Sequence, residues 1–316
     1  MLDKIKKAKQ VLRRDGVAAL LKTTAIYLLT HTRESSCIKL VHGELFHQKL
    51  YTYLRLGYWP HIQNPRTFNE KLLHRKLYTN NPQFTVVEDK WAVREYVRNA
   101  VGEDILPTVY HVTDDPDDIP FDNLPDAYVL KPTHMSGNVV IVDPDENPDT
   151  TALREQCRCW LSTTYGTKQG EYWYRDIKPR IIVEERLTDD RLHVPADFKF
   201  YVFHGRVEML YVLQHANQDA DKQYNYYTRQ WEPLDIQFHH WEVGPGYDRP
   251  DQLERMIEIA ELLGDGFDHI RVDLYAPNDD RIIFGELTVA EGSGGNQFSA
   301  WEDDLAIGSY WTVDCK

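Results

Sequence analysis

The sequence predicts an α+β protein in which helices come first and mostly antiparallel hairpins follow. Apolar side chains recur at helical spacing through residues 40–100, whereas from about residue 105 apolar and polar residues alternate with a period of two. Residues 196–214 and 269–295 each contain two strand-like runs joined by a short polar turn. Helices that are separated along the chain from antiparallel strands are typical of α+β folds rather than of doubly wound α/β folds.

The composition is that of an ordinary globular protein and limits the possible partners. The 316 residues are 42% hydrophobic and 27% charged, with a formal net charge of −14. Nucleic-acid binding needs a basic surface, so this charge predicts no nucleic-acid partner, whereas Mg-ATP needs only local positive charge. The four cysteines form no metal-type CxxC pair and are typical of a reducing compartment, which predicts a cytoplasmic protein.

Residues 1–60 are predicted to form a helical N-terminal extension with a basic amphipathic start. The first 22 residues hold seven Lys and Arg against two Asp, interleaved with Leu and Ile. Two interpretations stay open: residues 1–30 dock on an anionic membrane surface, or the helix packs on the protein body with its lysines in water. No membrane-spanning helix is predicted, because the apolar run over residues 17–30 is too short and contains Lys22.

Three segments carry specific helix signals. Residues 67–78 begin with Thr67, and Glu70 follows three residues later, which is the spacing of a capping box. A second helix is predicted over roughly 84–99. Residues 253–264 also have helical spacing, and Gly264 at their end predicts a glycine C-cap.

The hairpin over residues 269–295 carries paired acidic and basic side chains. Side chains at positions i and i+2 of a strand share a face, so Arg271 lies with Asp273, and Glu286 lies with Thr288. Mg²⁺ binds carboxylates on a rigid sheet and keeps phosphate oxygens and water as its other ligands. A guanidinium can bind a phosphate through two parallel hydrogen bonds. From these residues alone, a magnesium-phosphate site and a salt-bridged solvent face are equally favoured.

Candidate nucleotide ligands occur on three earlier segments. Lys131 ends an apolar strand and precedes a turn with Ser136 and Gly137, so it can reach phosphate oxygens while loop amides cover them; the alternative is a surface lysine. The apolar run over residues 180–187 ends in paired acids. Its backbone N–H and C=O groups can form hydrogen bonds with an adenine edge; the alternative is a buried strand with a charged end. Asp197 and Lys199 share a strand face, which makes Lys199 a second candidate phosphate ligand.

The order of these pieces resembles the ATP-grasp superfamily and, within it, the TupA-like ATP-grasp family found among polysaccharide biosynthesis genes. The resemblance covers roughly residues 55–305 in unbroken order. It rests on six motifs: RTFNEKLLHRKLY (66–78), EDKWAVREYV (88–97), IPFDNLPDAYVLKPTHMSGN (119–138), IKPRIIVEERL (177–187), DFKFYVFHG (197–205) and IRVDLY…FGELT…GSG (270–294).

The resemblance implies a fold and a set of ligands. Two α+β subdomains clasping ATP would span residues 61–316, with a lid-like subdomain at about 108–186, behind the helical extension of residues 1–60. The implied nucleotide ligands are Lys90, Lys131, Ser136, Gly137, Glu184, Glu185, Leu187, Asp197 and Lys199. The implied Mg²⁺ ligands are Asp273, Glu286 and Thr288, and the implied catalytic residues are Arg271 and Lys199. Thr288 stands where many ATP-grasp ligases carry Asn, a difference that is common in the TupA-like family.

The resemblance also implies a reaction. The leading hypothesis is a Mg-ATP-dependent carboxylate–amine ligase that works through an acylphosphate in cell-surface polysaccharide or glycoconjugate biosynthesis. Its substrates would be ATP, a carboxylate-bearing sugar or amino acid, and an amine. The alternatives are an ATP-dependent phosphotransferase acting on a hydroxyl and a non-catalytic nucleotide- or glycan-binding module. If residues 1–30 dock on a membrane rather than on the protein body, the cytoplasmic enzyme would lie at the inner face of that membrane.

Overall fold

A computed structural model describes residues 16–29, 33–144, 146, 148–167, 169–190, 192, 194–215, 222–238, 242–279 and 281–313. Most of the basic residues of the predicted amphipathic start precede residue 16 and lie outside the described residues. Residues 16–29 are helical and form α1. No helix within the described ranges has the length and apolar content that crossing a bilayer requires.

The remaining helices lie mainly in the N-terminal third and at the C-terminus. They are α2 (Arg33–Leu56), α3 (Phe68–Tyr78), α4 (Gln83–Glu88), α5 (Val93–Val101), α6 (Thr150–Leu161), α7 (Leu253–Gly264) and α8 (Trp301–Ser309). The strands are β1 (Val109–Thr113), β2 (Tyr128–Pro132), β3 (Val140–Val142), β4 (Ile181–Glu185), β5 (Asp197–Phe203), β6 (Arg206–His215), β7 (Lys222–Thr228), β8 (Pro233–Leu234), β9 (Glu242–Val243), β10 (His269–Tyr275) and β11 (Ile283–Thr288).

The predicted capping box at the start of α3 is present. The Thr67 hydroxyl accepts a hydrogen bond from the Glu70 amide at 3.2 Å, and the Glu70 carboxylate accepts one from the Thr67 amide at 3.2 Å. The same carboxylate also accepts from the amides of His61 and Arg66. This carboxylate therefore anchors the chain entering α3 and satisfies donors that the first turn of a helix leaves open.

Replacing Thr67 with alanine is expected to lower the free energy of unfolding by about 2 kcal/mol, the upper part of the range for lost N-caps. The residue is fully buried and its hydroxyl also lies 2.9 Å from Tyr58 Oη, so the loss leaves buried groups without a partner. Chemical denaturation measures the change. Thr150→Ala, at an exposed first position of α6, is the control and should change stability by less than about 0.5 kcal/mol. Equal effects of the two substitutions would contradict the prediction.

The single helix predicted over roughly 84–99 is wrong, because the chain breaks between α4 and α5. The Asp89 carboxylate accepts a hydrogen bond from the Trp91 amide at 2.8 Å, and the Lys90 amide donates to the Thr133 carbonyl at 3.1 Å. These bonds hold residues 89–92 out of a continuous helix. The break brings Lys90 beside the turn that follows β2.

The main sheet has seven strands, six of them in the order β11-β10-β5-β6-β7-β8, with neighbours antiparallel; β9 pairs with β7 in parallel. The hairpins predicted over residues 196–214 and 269–295 are its β5–β6 and β10–β11 pairs. Strand β5 is buried along its whole length, with α7 packed on the sheet. The largest hydrophobic core surrounds these strands, which makes them a rigid platform for the side chains they carry.

The small sheet has four strands in the order β1-β4-β2-β3, all antiparallel. A second hydrophobic core, which includes Leu130, Trp160 and Val183, lies between this sheet and α6. The sheet falls within the range predicted as a lid-like subdomain. The predicted α+β class, with helices ahead of antiparallel sheets, is confirmed; the proposed subdomain bounds stay a prediction.

Candidate active site

The candidate site lies on three adjacent strands of the main sheet. In the register of β10, Asp273 stands opposite Glu286 on one side and Lys199 on the other, and Arg271 stands opposite Thr288. The cross-strand arrangement predicted from sequence is therefore present, and β5 adds Lys199 to it. Five polar side chains from separate parts of the sequence share one face of a buried sheet.

Arg271 is the centre of this cluster. Its Nε and Nη2 each donate to a different oxygen of Asp273, both at 2.7 Å, and Nη1 donates to Glu291 at 2.9 Å. Nη2 also reaches Glu286 at 3.1 Å and the Thr288 hydroxyl at 3.0 Å. Burial alone would lower the pKa of Arg271, but the surrounding acids, Asp273 first, hold it well above its ordinary value. The guanidinium is thus fixed and fully charged.

Lys199 lies between two buried acids. Its Nζ is 2.5 Å from Asp197 and also contacts Asp273. Burial would raise the pKa of Asp273, but Arg271 and Lys199 together lower it. The cluster therefore holds Asp273 ionised in the interior, where an isolated carboxylate would take up a proton.

Glu291 was not recognised from the sequence, although it opens the Gly-rich EGSGG segment that follows β11. Its carboxylate is almost fully buried and accepts hydrogen bonds from Arg271, from Tyr211 Oη at 2.9 Å and from Tyr201 Oη. Three donors from β10, β5 and β6 thus converge on one buried acid. Glu291 fixes the side of Arg271 that faces away from Glu286.

The small sheet contributes the opposite wall of a narrow cleft. Lys131 on β2 forms an ion pair with Glu184 on β4. Lys90 donates from Nζ to the Met135 carbonyl at 2.6 Å, and burial lowers the pKa of Lys90 although Glu286 opposes this. Lys90, Lys131, Glu184 and Glu286 line the cleft together. The structure therefore brings Lys90, Lys131 and the predicted metal carboxylate Glu286 to one place between the two sheets, whereas Lys199, the second predicted phosphate lysine, lies buried against Asp197 and Asp273.

The turn between β2 and β3 lies beside the cluster. Ser136 and Gly137 are both exposed, and Gly137 has a φ of 73°, in the left-handed region that glycine adopts without strain. Ser136 lines a polar cavity together with Arg271, Glu286 and Thr288. The predicted phosphate-covering turn is thus close to the candidate transfer site.

Two predicted nucleotide residues do not reach the cluster with their side chains. Glu185 points to the face of β4 opposite Glu184, where it accepts from the Thr108 amide at 3.1 Å and pairs with Arg281. The Leu187 carbonyl accepts from its neighbour Arg186. In the described part of the chain neither residue lines the cleft. Any contact with adenine would involve the backbone, as the sequence hypothesis assumed.

The polar cavity has a volume of about 300 Å³ and adjoins the cleft through Glu88 and Glu286, which line both. Its walls come from α2, from the segment before β4, and from β10, β11 and the Gly-rich loop. The lining residues are Tyr51, Arg55, Glu88, Ser136, Tyr165, Gln169, Glu171, Tyr174, Arg271, Glu286, Thr288, Ala290, Gly292 and Ser293. The helical extension therefore contributes to the candidate site, which the sequence did not reveal.

Glu88 is a second buried acid that the sequence did not single out. Its carboxylate accepts from Tyr174 Oη at 2.5 Å and from the Val289 amide at 2.8 Å. Burial raises the pKa of Glu88 to about 7, although both hydrogen bonds oppose the shift. A carboxyl with this pKa at the junction of cleft and cavity can exchange a proton near neutral pH.

The raised pKa of Glu88 predicts a pH-dependent loss of stability. The folded carboxyl keeps its proton up to about pH 7, whereas the unfolded one loses it above about pH 4.5, so stability falls as pH rises between these values. Relative to Glu88→Gln, the wild type should lose roughly 3 kcal/mol of unfolding free energy across this window. Denaturant titrations from pH 4 to pH 8 measure the difference. Parallel stability curves for the two proteins would contradict the prediction.

Comparison with known proteins identifies the family. The sequence model of the TupA-like ATP-grasp family matches residues 70–312 of the chain. The chain belongs to the TupA-like ATP-grasp family. Among curated proteins no sequence matches it.

Several solved ligases are also similar to the chain. The D-alanine–D-alanine ligase from Bacillus anthracis complexed with ATP matches at 14% identity with a TM-score of 0.41, over 66% of this chain and 57% of that chain. The L-amino acid ligase from Bacillus licheniformis matches at 13% identity and 0.41, over 72% and 43%. The VanG D-Ala:D-Ser ligase from Enterococcus faecalis matches at 12% identity and 0.43, over 72% and 61%. The chain spans less than two thirds of each of these ligases.

Family membership confirms the predicted ATP-grasp fold. The roles of the individual site residues stay predictions. What the structure adds is their placement: Lys90, Lys131 and Glu184 line the cleft, Ser136, Arg271 and Thr288 line the adjoining cavity, and Glu286 lines both.

The donor set of the cluster fits Mg²⁺. This ion binds one or two protein carboxylates and keeps phosphate oxygens and water as its other ligands. Glu286 has a side chain that is 39% exposed and lines both the cleft and the cavity, whereas Asp273 opposite it is buried and bonded to two cations. Among the described residues no group of three or more His, Cys, Asp and Glu is arranged to hold a metal. Of the two strand carboxylates, Glu286 is the one that a bound ion can reach. Asp273 is buried on the neighbouring strand, and the Thr288 hydroxyl lies next to Glu286.

Proposed function

We propose that the protein is a Mg-ATP-dependent carboxylate–amine ligase that forms an acylphosphate. The observation that carries the proposal is the position of Glu286, which lines two adjoining spaces, with Arg271 bonded to it from the side of the polar cavity. On one side is the cleft with Lys90 and Lys131, and on the other is the polar cavity. A ligase of this type needs two adjoining spaces, one for ATP and one for the second substrate. The γ-phosphate has to meet that substrate beside cations that stabilise the negative charge of the transition state.

The first step transfers a phosphoryl group. A carboxylate oxygen of the acid substrate attacks the γ-phosphorus, the bond from that phosphorus to the β,γ-bridging oxygen breaks, and ADP leaves with the bonding electrons. Lys131 and Lys90 hold phosphate oxygens in the cleft, and Lys199 supports the charge of Asp273. Arg271 stabilises the negative charge on the transferred group. Glu286 and Asp273, with Thr288 in support, would hold Mg²⁺, which neutralises phosphate charge when bound.

The second step forms the amide. The amine nitrogen attacks the acyl carbon, the bond from that carbon to the phosphate oxygen breaks, and inorganic phosphate leaves. The nitrogen has to lose a proton for this attack. Glu88 is the group assigned to accept it, because its carboxyl lines both spaces and has a pKa of about 7.

The cellular setting belongs to the same proposal. The acid substrate is a carboxylate-bearing sugar or amino acid, and the product serves cell-surface polysaccharide or glycoconjugate biosynthesis. The enzyme works in the cytoplasm, and residues 1–30 hold it at the inner face of the membrane. Support for the membrane contact is the concentration of seven Lys and Arg in the first 22 residues.

A screen of acids and amines tests the reaction type. Purified protein is incubated with Mg-ATP, a panel of uronic acids and amino acids as acid substrates, and a panel of amines, and ADP and phosphate are measured. The proposal expects ADP and phosphate in equal amounts only when an acid and an amine are both present. ADP formation with a stable phosphoester and no free phosphate would instead identify a phosphotransferase acting on a hydroxyl.

A further inference from the structure

The helical extension contributes one wall of the polar cavity. Tyr51 and Arg55 lie one turn apart on α2 and face the same space as Arg271, Glu286 and Thr288. Neither residue lines the cleft that holds Lys90 and Lys131. Arg55 therefore belongs to the space assigned to the non-nucleotide substrates and is separated from the phosphate lysines.

Arg55 retains hydrogen-bond donors for a ligand. Its Nη1 donates to Tyr51 Oη at 3.0 Å, and no carboxylate in the described chain lies within ion-pair distance of its guanidinium. Arg271, the other arginine of the cavity, is by contrast bonded to Asp273, Glu286 and Glu291. A guanidinium with five N–H donors in a fixed fork is suited to binding a carboxylate through two parallel bonds.

The Gly-rich loop passes close to Arg55. A Cβ atom added to Gly295 would lie 3.1 Å from Arg55 Nε and 3.3 Å from Cζ, closer than side-chain carbons usually approach. A side chain at position 295 would therefore crowd Arg55 unless the arginine moved by a few tenths of an ångström. The close passage and the bond to Tyr51 limit the rotamers of Arg55, so a ligand would meet a preformed cation.

Apart from Arg55 and Arg271, the ionisable groups that the cavity offers to a substrate amine are glutamates. Glu88, Glu171 and Glu286 line it together with Arg55. A substrate with only negative charge would meet the Glu286 carboxylate, and one with only positive charge would leave the remaining N–H donors of Arg55 unused. The combination fits a zwitterion whose anionic group meets Arg55 and whose amine lies toward the glutamates.

We infer that the polar cavity binds the amine substrate, and that this amine carries a second, anionic group held by Arg55 of the helical extension. The inference rests on the proposed ligase function, because only a ligase needs an amine here. It gives the extension a role in substrate recognition, independent of any membrane contact. Arg55 acts as a specificity-determining residue that positions the amine next to the transferred acyl group.

Calorimetric titration without ATP tests the inference separately from turnover. The probes are glycine, alanine and glutamate, their C-terminal amides, which keep the amine and lose the carboxylate, and glucuronate, which has a carboxylate and no amine. For at least one amino acid, wild type should bind the free form about tenfold more tightly than its amide. In Arg55→Gln that preference should disappear. Arg98→Gln, which removes an exposed arginine, is the matched control and should keep it.

Several results would overturn the inference. The first is that every C-terminal amide binds wild type as tightly as its free amino acid. The second is that the preference for the free amino acid survives in Arg55→Gln. The third is that no probe of the panel binds in a way that depends on Arg55. Arg55-dependent binding of glucuronate alone would also overturn it, because the cavity would then hold the acid substrate. A titration with Mg-ATP separates this failure from failure of the proposed function: Arg55→Gln should bind Mg-ATP within about twofold of wild type, since Arg55 does not line the cleft.

Discussion

Replacing Glu286 with glutamine is expected to reduce ADP formation by about 10³-fold while leaving the fold intact. The substitution removes the accessible carboxylate of the cluster but keeps its size, so the loss is one of charge at the site of phosphoryl transfer. The side chain is 39% exposed and makes only a 3.1 Å bond to Arg271 and a 3.4 Å bond from Thr288. The free energy of unfolding should therefore change by less than about 1 kcal/mol.

The measurement is steady-state ADP formation with the best acid and amine pair, together with chemical denaturation of the same samples. Glu254→Gln, which changes an exposed acid paired with Arg249 on the surface, is the matched control and should retain full activity. Activity of Glu286→Gln within about tenfold of wild type would contradict the assignment of Glu286. A large loss of stability would mean that the effect on activity came from the fold.

Replacing Glu291 with alanine is expected to lower the free energy of unfolding by about 3–5 kcal/mol, the range for removing one partner of a buried ion pair. The change leaves Arg271 Nη1 and the hydroxyls of Tyr201 and Tyr211 without their buried acceptor. Activity should fall as well, because Arg271 loses the contact that fixes its orientation. The two effects together distinguish Glu291, which positions Arg271, from Glu286, which acts on substrate.

Denaturant unfolding and ADP formation at a temperature where the variant is folded measure both effects. Glu95→Ala, which breaks an exposed pair with Arg98, is the control and should cost less than about 1 kcal/mol. Glu291→Gln keeps an acceptor for one donor and should lie between alanine and wild type. An alanine variant as stable as the control would contradict the account of the cluster.

The sequence predicted the parts of the site that depend on local periodicity. Arg271 and Asp273, like Glu286 and Thr288, are two positions apart on strands, so the members of each pair share a face. The capping box of α3 is equally local, because four consecutive residues determine it. Such features need no knowledge of tertiary packing.

The sequence did not predict contacts between distant segments. Glu88 bonds to Tyr174 and to the Val289 amide, 86 and 201 residues away. Arg55 reaches the cavity only because α2 packs beside the Gly-rich loop. No periodicity within α2 or α4 marks these residues, since their role arises from what packs against them.

Gly264 shows how packing can replace a local signal. The sequence predicted a helix over residues 253–264 with a glycine C-cap; α7 has these bounds, but Gly264 is its last helical residue and the C-cap is Asp265 in an extended conformation. A Cβ on Gly264 would lie 2.5 Å from a methyl group of Val202. The glycine is needed because α7 lies directly on β5, so the prediction of a cap was wrong.

The most direct test of the central claim follows oxygen from the acid substrate into phosphate. The acid is labelled with ¹⁸O in its carboxylate, and the phosphate released with ADP is analysed by mass spectrometry. An acylphosphate ligase transfers one labelled oxygen to each phosphate, because the carboxylate oxygen that attacks the γ-phosphorus leaves with it when the amide forms. Phosphate without label would contradict the account, since ATP would then be hydrolysed by water or its phosphoryl group passed to another acceptor.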